Sequence, residues 1–401
     1  MNDLEDFVNQ VLNDLGSDKK LKLSNGEADF EKVANVLWTL NQFLYVTTDE
    51  LEGPYLSAFH RFWKKNHERL LDVRVDEGKC ESVAETLEHW YANCGDKLRP
   101  SVSGAKSLSP HLIANARFFT AVQDFTIKLR KSPYEIASRC PELFDARRIV
   151  EDEAVVDSLL RELGAESQYD KRRKYAKLCG MLLLERFDGK ALNIAEELDR
   201  DAVRIRDMLI NPEKRYNGLG FSEKKANMLI RDLYDLGVWT KLTDLEKLNV
   251  SSDANTMRIA LRLGIVRTRI PLITSYLDVY GLQYEVVDRT VSQAWRQTWN
   301  IWGGIPENHR VAAPAFFDYF IYRIGQICCR PNRRACEIPC RGSRLQKLRE
   351  LIPITDGYCP FRGLEDESTK MLNSPRAISI YGRTGWERGR TNMGGGGGIS
   401  S

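Results

Sequence analysis

Apolar residues recur along most of the chain every three or four positions, which is the spacing of a buried helix face. No alternating pattern long enough for a strand, and no internal repeat, interrupts this period. The pattern therefore predicts an all-α protein. The helices predicted between residues 111 and 327 span 113–129, 153–163, 173–187, 196–210, 223–236, 253–263, 291–302 and 314–328.

Chain-breaking and small polar residues divide the sequence into segments. Residues 97–110 carry two prolines, a glycine and four serines, which predicts a linker. We therefore expect an N-terminal helical domain over 1–100, a core over 111–327 and a cysteine-rich region over 328–365. The glycine- and arginine-rich segment 376–401 has too little apolar area to offset its chain entropy, so we predict a disordered tail.

Composition limits the classes of protein that fit. The chain has 401 residues, 42% of them hydrophobic, and no run approaches the roughly 18 apolar residues that a membrane span needs. The acidic amino terminus has no signal-peptide pattern, which predicts an intracellular protein of the cytoplasm, nucleoid or nucleus. The net charge of +3 means that any nucleic-acid surface must be a local patch.

A glycine-bearing turn opens the predicted helix 223–236, and the segment 218–227 reads GLGFSEKKAN. Glycines let a ligand approach the backbone closely, and a helix N-terminus favours negative charge, so this turn suits a phosphate. Lys224 stands at its mouth. A lysine in that position can bind phosphate, or it can act as a nucleophile if its ammonium is desolvated.

A carboxylate stands at the start of a second predicted helix, where the chain reads SDANTMRI over 252–259. Asp253 would find free N–H donors there, which keep it ionised and facing whatever lies beyond the helix end. A simpler interpretation also fits the residues. Lys224 and Lys225 would then be a surface pair, and Asp253 only a helix cap.

Together the two segments resemble the helix-hairpin-helix DNA glycosylases, which include endonuclease III and the archaeal 8-oxoguanine enzymes. The family hairpin, Leu-Pro-Gly-x-Gly-x-Lys-Thr-Ala-Asn, aligns with this chain without a gap, although its Leu-Pro is missing here. Gly220 falls on the first hairpin glycine, Ser222 replaces the second, and Lys224 falls on the nucleophile of the bifunctional members. Asp253 falls on the catalytic aspartate of the signature Val-Asp-Thr-His-x-x-Arg. The resemblance covers about 110–340 and favours catalysis.

The resemblance implies a two-lobed core that flips a damaged or modified base out of double-stranded DNA and excises it, with AP-lyase activity. Lys224 would attack C1′ with the help of Asp253, and that attack needs a neutral amine. We therefore expect burial, or the neighbouring cation of Lys225, to lower the pKa of Lys224. A catalytically inactive DNA-binding or scaffold protein is the alternative. No protein partner is indicated, and a monomer is expected. The residues expected to hold DNA phosphates are Gly218, Gly220, Ser222 and Lys225.

Five of the nine cysteines lie between 328 and 359, a clustering that in an intracellular protein indicates a metal or iron–sulfur site. Four thiolates suit either a [4Fe–4S] cluster or tetrahedral zinc. The position directly after the last predicted helix is that of the cluster loop in endonuclease-III-like glycosylases, which favours iron–sulfur. Cys328 is an alternative to Cys329 as a ligand. The expected ligands are Cys329, Cys336, Cys340 and Cys359.

Overall fold

The computed structural model is 63% helical and 2% strand, which confirms the all-α class. It describes residues 66–99, 104–105, 107–125, 131–165, 167–269, 271–276, 278–279, 282–330, 336–365, 369–370 and 372–377, with isolated positions 6, 9, 10, 13, 18, 20 and 22. Most of the predicted N-terminal domain, and the predicted tail beyond residue 377, lie outside the described residues.

Helices make up most of the described chain. They are α1 (Glu77–Cys94), α2 (Pro110–Val122), α3 (Pro133–Arg139), α4 (Ala146–Glu151), α5 (Glu153–Leu163), α6 (Tyr169–Arg186), α7 (Asn193–Glu197), α8 (Ala202–Ile210), α9 (Glu223–Asp235), α10 (Ala254–Leu263), α11 (Pro271–Tyr276), α12 (Leu282–Gly303), α13 (Pro314–Ile327) and α14 (Ser343–Leu351). Two short strand pairs accompany them. They are β1 (Arg74–Val75) antiparallel to β2 (Val266–Arg267), and β3 (Asp278–Val279) parallel to β4 (Arg376–Ala377).

The buried apolar side chains form two separate cores, which we call the first and second lobes. The first lobe gathers the apolar faces of α2 to α9, with Phe118, Leu160 and Leu183 fully buried. The second lobe gathers α1, α10, α12, α13 and α14, with Trp295 and Trp302 fully buried. Each lobe removes a continuous apolar surface from water, which is the main stabilising contribution.

Helix α1 lies inside the segment predicted as a separate N-terminal domain, yet it belongs to the second lobe. Its buried residues Cys80, Val83 and Leu87 share a core with α12, and the two helices pack along each other. The linker-like residues 97–110 therefore connect the two lobes. The described part of the N-terminal segment is not independent of the rest of the chain.

Helix α13 joins the two cores, because neighbouring residues face opposite lobes. Phe316 is buried in the first core and Phe317 in the second. A chain of buried charges follows the same junction. Arg117 of α2 donates to Asp232 at 2.6 Å. Arg231 also binds Asp232, and it donates across the junction to Asp318 of α13 at 3.2 Å.

Helices α8 and α9 form a hairpin whose turn depends on two glycines in left-handed conformation. Gly218 and Gly220 both have φ of +89°. They differ in their surroundings, since a Cβ at residue 218 would meet no atom within 4 Å, whereas one at residue 220 would lie 2.5 Å from the ring of Tyr175. Gly220 is therefore required both by its conformation and by close packing against α6.

This difference gives a matched pair of substitutions. Gly218→Ala should cost about 1–2 kcal/mol of unfolding free energy, from backbone strain alone. Gly220→Ala should cost about 2–5 kcal/mol, since a clash with Tyr175 adds to the same strain. Urea unfolding followed by circular dichroism measures both values. Equal losses in the two variants would contradict the packing role of Gly220.

Candidate active site

Asp253 caps the N-terminus of α10, and its two carboxylate oxygens have different partners. Oδ1 accepts hydrogen bonds from the backbone amides of Asn255 at 2.7 Å and Thr256 at 2.9 Å. Oδ2 accepts one from the Lys224 amine. The backbone amide of Asp253 in turn donates to the Thr256 hydroxyl at 2.6 Å, which completes a reciprocal cap. The cap fixes the carboxylate in place and leaves one oxygen for the lysine.

Lys224 lies in the first turn of α9, and its Nζ is 3.1 Å from Asp253 Oδ2. The carboxylate is almost fully buried, with 2% of its side chain exposed, whereas the lysine side chain keeps 20% exposed. Two further contacts hold the segment before α10 against α9. Ser251 Oγ donates to the Lys224 carbonyl, and Asn227 Nδ2 donates to the Asn249 carbonyl. The two predicted catalytic residues therefore meet at the lobe junction, where part of the Lys224 side chain remains exposed.

The pKa of Lys224 is raised, whereas the sequence analysis predicts that it is lowered. Burial on its own would lower the pKa of this amine, but the carboxylates of Asp253, Asp124 and Asp318 together raise it above its ordinary value. Lys224 is therefore an ammonium at neutral pH. Since Lys225 is not among the causes of the shift, the expected cation–cation effect is not what sets the pKa.

Lys225 points away from Lys224, into the first lobe, since consecutive helical side chains diverge by about 100°. Its Nζ donates to the carbonyls of Val122 and Gly220, each at 2.9 Å, and lies 4.6 Å from the ring centre of Phe125. Burial lowers the pKa of this amine to about 8. The Lys225 amine thus binds the hairpin from its buried side. We had expected it to contact a DNA phosphate on the outer side.

The other predicted phosphate-binding residues line the outer side of the hairpin. Gly218 and Ser222 are exposed, and Gly220 is half-buried. Ser222 is the N-cap of α9, but its side chain makes no capping bond. Within the described chain, the backbone amides of these three residues donate no hydrogen bond. The turn therefore offers unpaired N–H groups beside a helix N-terminus.

Three side chains that the sequence did not single out as catalytic surround the pair. Asp124 follows α2, and Asp318 and Tyr322 lie on α13; all interact electrostatically with Lys224. Asp318 is buried, and burial raises its pKa to about 7, although Arg231 opposes the shift. The sequence did contain one indication of Asp318. It is the single carboxylate in the apolar sequence of α13, and a buried carboxylate needs a charged or hydrogen-bonding partner.

The cysteines lie at the end of α13, in the segment between α13 and α14, and in the segment that follows α14. Cys328 Sγ lies 3.8 Å from Cys340 Sγ. The pKa of the Cys359 thiol is raised well above its ordinary value by interactions with the neighbouring cysteines, Cys328 first, and by burial. Cys329 instead accepts a hydrogen bond from Arg262 at 3.4 Å. The direct thiol–thiol contact is thus made by Cys328, whereas the predicted Cys329 acts on Cys359 only electrostatically. Across the described residues, no group of three or more His, Cys, Asp or Glu side chains is arranged to hold a metal ion.

The chain matches no protein-family model and no curated protein. No helix in the described part of the chain combines the length and the apolar character needed to cross a membrane.

The contrast between the two adjacent lysines predicts a pH effect on stability. Between pH 8 and the ordinary lysine value of 10.5, unfolded chains keep the Lys225 proton that the folded protein has released. Wild-type stability should therefore rise with pH relative to Lys225→Met, by on the order of 2 kcal/mol between pH 7.5 and 10.

Urea unfolding of both proteins at the two pH values measures this difference. Lys224→Met is the matched control, because the raised pKa of Lys224 keeps its proton in both states over this range. An unchanged difference between wild type and Lys225→Met would show that the Lys225 amine is not desolvated.

Proposed function

We propose that this protein is a DNA glycosylase with AP-lyase activity, which excises a damaged or modified base from double-stranded DNA. The observation that carries the proposal is the contact of 3.1 Å between Lys224 Nζ and Asp253 Oδ2 at the lobe junction. A primary amine beside a buried carboxylate is the pair that this chemistry needs. The hairpin and the two cores also fit the helix-hairpin-helix architecture implied by the sequence resemblance.

The proton on Lys224 has to leave before the amine can attack. The direct contact with Asp253 provides a route, from Nζ to Oδ2 and onward to the departing base. As the N-glycosidic bond breaks, its electron pair leaves with the base, and the sugar becomes cationic. The Asp253 carboxylate stabilises that cation, which also disfavours a second positive charge on Lys224. The neutral amine then bonds to C1′.

Subsequent steps need no further protein group to form a new covalent bond. A proton passes from the adduct nitrogen to O4′ as the C1′–O4′ bond breaks, so the sugar ring opens and leaves a protonated imine of Lys224. Water then takes a proton from C2′, and the C3′–O bond breaks with its electron pair leaving on the 3′ phosphate. Water releases the lysine from the imine, so the enzyme is regenerated.

The hairpin would grip the DNA backbone while the target nucleotide occupies the junction. Its amides at Gly218, Gly220 and Ser222 are unpaired within the described chain and suit phosphate oxygens. Flipping a base costs a few kcal/mol in unstacking, which backbone contacts must offset. Because phosphate contacts release counterions, binding should weaken steeply as salt is raised.

A borohydride trap tests the proposal. Reduction should cross-link the wild-type protein to duplex DNA that contains an abasic site, because the reagent reduces the imine of Lys224. Lys224→Ala should give no adduct. Asp253→Asn should form it on the order of 10²–10⁴ times more slowly, the range typical of a lost acid–base group. Denaturing gel electrophoresis measures the covalent product.

Lys225→Met is the matched control and should keep the adduct, because its amine is committed to backbone carbonyls. Base release from a panel of lesion-bearing duplexes identifies the substrate. Base release without an adduct would leave a glycosylase that lacks lyase activity. DNA binding with neither activity would favour the catalytically inactive DNA-binding protein.

For the cysteines we propose a [4Fe–4S] cluster held by Cys328, Cys336, Cys340 and Cys359, with zinc as the alternative. What supports this is proximity: Cys328, Cys340 and Cys359 are buried, and Cys328 Sγ lies 3.8 Å from Cys340 Sγ. The four thiols would have to move closer together to ligate a metal, since the described residues hold no ready metal-binding group. The cluster would anchor the chain that follows α13 to the second lobe. None of the catalytic steps above passes through it.

Metal analysis of the purified protein tests this assignment. We expect about four iron atoms per chain and visible absorbance typical of iron–sulfur clusters. Cys328→Ser should lose most of the iron, whereas Cys329→Ser should keep it, because Cys329 faces Arg262. Stoichiometric zinc would replace the iron assignment. Iron loss only in Cys329→Ser would reverse the choice between the two cysteines.

A further inference from the structure

Three carboxylates act on the Lys224 amine, and two of them already have partners. Asp253 is almost fully buried, and its two oxygens accept from backbone amides and from Lys224 itself. Asp318 is buried and accepts from Arg231 at 3.2 Å. Asp124 is half-buried, and within the described chain its side chain makes no hydrogen bond and no ion pair. Asp124 is therefore the carboxylate beside the amine that is available to another group.

The backbone on both sides of Asp124 is fixed by one buried guanidinium. Arg172 of α6 is fully buried, and it donates to the Gln123 carbonyl at 2.7 Å and to the Phe125 carbonyl. The same guanidinium stacks on the Phe125 ring, 3.9 Å from its centre. Hydrogen bonds from a charged donor are among the stronger ones in proteins. The turn that carries Asp124 is thus held firmly at the end of α2.

The groups that Asp124 influences place its carboxylate at the lobe junction. It acts electrostatically on Lys224 and Lys225 of α9 and on Tyr322 of α13. The end of α2 also contacts the first turn of α9, because the Lys225 amine donates to the Val122 carbonyl at 2.9 Å. Within the described chain, Asp124 forms no ion pair with Lys224. The carboxylate therefore faces the junction near the amine without pairing with it.

The proposed reaction needs a base close to the Lys224 amine after the imine has formed. The carbon that must lose a proton, C2′, is bonded directly to the C1′ carbon attached to Lys224. Water is a weak base, so a carboxylate that receives the proton from it speeds this step. Asp253 and Asp318 are committed to the contacts described above. Asp124 meets the requirement by position and by its lack of a partner.

We propose that Asp124 is the general base of the strand-cleaving step, an inference that rests on the proposed glycosylase and lyase activity. A water molecule on the Asp124 carboxylate removes the C2′ proton and passes a proton to Asp124. The electron pair of the C2′–H bond forms a C1′–C2′ double bond, and the imine nitrogen becomes an amine. These electrons then form a C2′–C3′ double bond as the C3′–O bond breaks, and its electron pair leaves on the phosphate. Asp124 afterwards releases the proton to solvent.

Two rates measured on a duplex with a preformed abasic site test this role. The borohydride adduct reports formation of the imine, and strand cleavage without borohydride reports elimination. Asp124→Asn should still form the adduct, because Lys224 and Asp253 are intact. Its strand cleavage in a single turnover should slow on the order of 10²-fold, the lower end of the range for a lost acid–base group. Denaturing gel electrophoresis measures both products.

Asp170→Asn is the matched control, because it removes the same charge from an exposed position of the same lobe. Both of its rates should equal those of wild type. Deuterium at C2′ separates proton removal from a structural role. In Asp124→Asn the deuterated substrate should be cleaved several-fold more slowly than the ordinary one, since breaking of the C2′–H bond has become the slowest step. Added formate should restore part of the strand cleavage in Asp124→Ala.

The outcomes distinguish this inference from the proposed function. Wild-type strand cleavage by Asp124→Asn, with its adduct intact, would overturn the role of Asp124 alone. Equal slowing of adduct formation and cleavage, with no isotope effect, would make Asp124 a structural residue and also overturn it. The absence of any adduct in wild type would refute the proposed function and this inference with it.

Discussion

Two buried ion pairs on one face of α9 fix how the two lobes meet. Lys224 and Arg231 are seven residues apart, which places them two turns from each other on the same side of the helix. Each pairs with a carboxylate of the second lobe, at 3.1 Å to Asp253 and 3.2 Å to Asp318. Separating the lobes would leave these charges without partners in surroundings of low polarity, which is strongly unfavourable. The form of the candidate active site therefore depends on this pairing.

The same pairing sets the protonation state of Lys224 in the absence of substrate. The carboxylates around Lys224 raise its pKa and keep it protonated, whereas burial lowers the pKa of Lys225 to about 8. The amine that is easier to deprotonate is the one bound to the carbonyls of Val122 and Gly220. In the proposed reaction, positive charge that develops on the sugar would weaken the hold of Asp253 on the ammonium. The Lys224–Asp253 pair would thus release its proton only when the substrate begins to react.

Hydrophobic periodicity and capping residues in the sequence predicted the positions of most helices well. Segment 153–163 coincides with α5, because the capping residues Asp152 and Gly164 mark its two ends. The predicted helix 196–210 is instead broken into α7 and α8. Asp199 and Arg200 between them take left-handed conformations, and the Arg200 carbonyl accepts from Thr243, forty-three residues later. A partner so distant in sequence leaves no local signal.

The chain alone determined the features that act over a few residues. These are the helical class, the glycine turn at Gly218 and Gly220, and the cap at Asp253, which follow from backbone conformation and neighbouring N–H groups. The tertiary structure decided the contact of Lys224 with Asp253, the addition of Asp318, and the choice of Cys328 over Cys329 in the thiol contacts. Such pairs lie up to 87 residues apart, and packing of whole helices brings them together. Side-chain partners and the pKa values they impose depend on that packing, which no short pattern encodes.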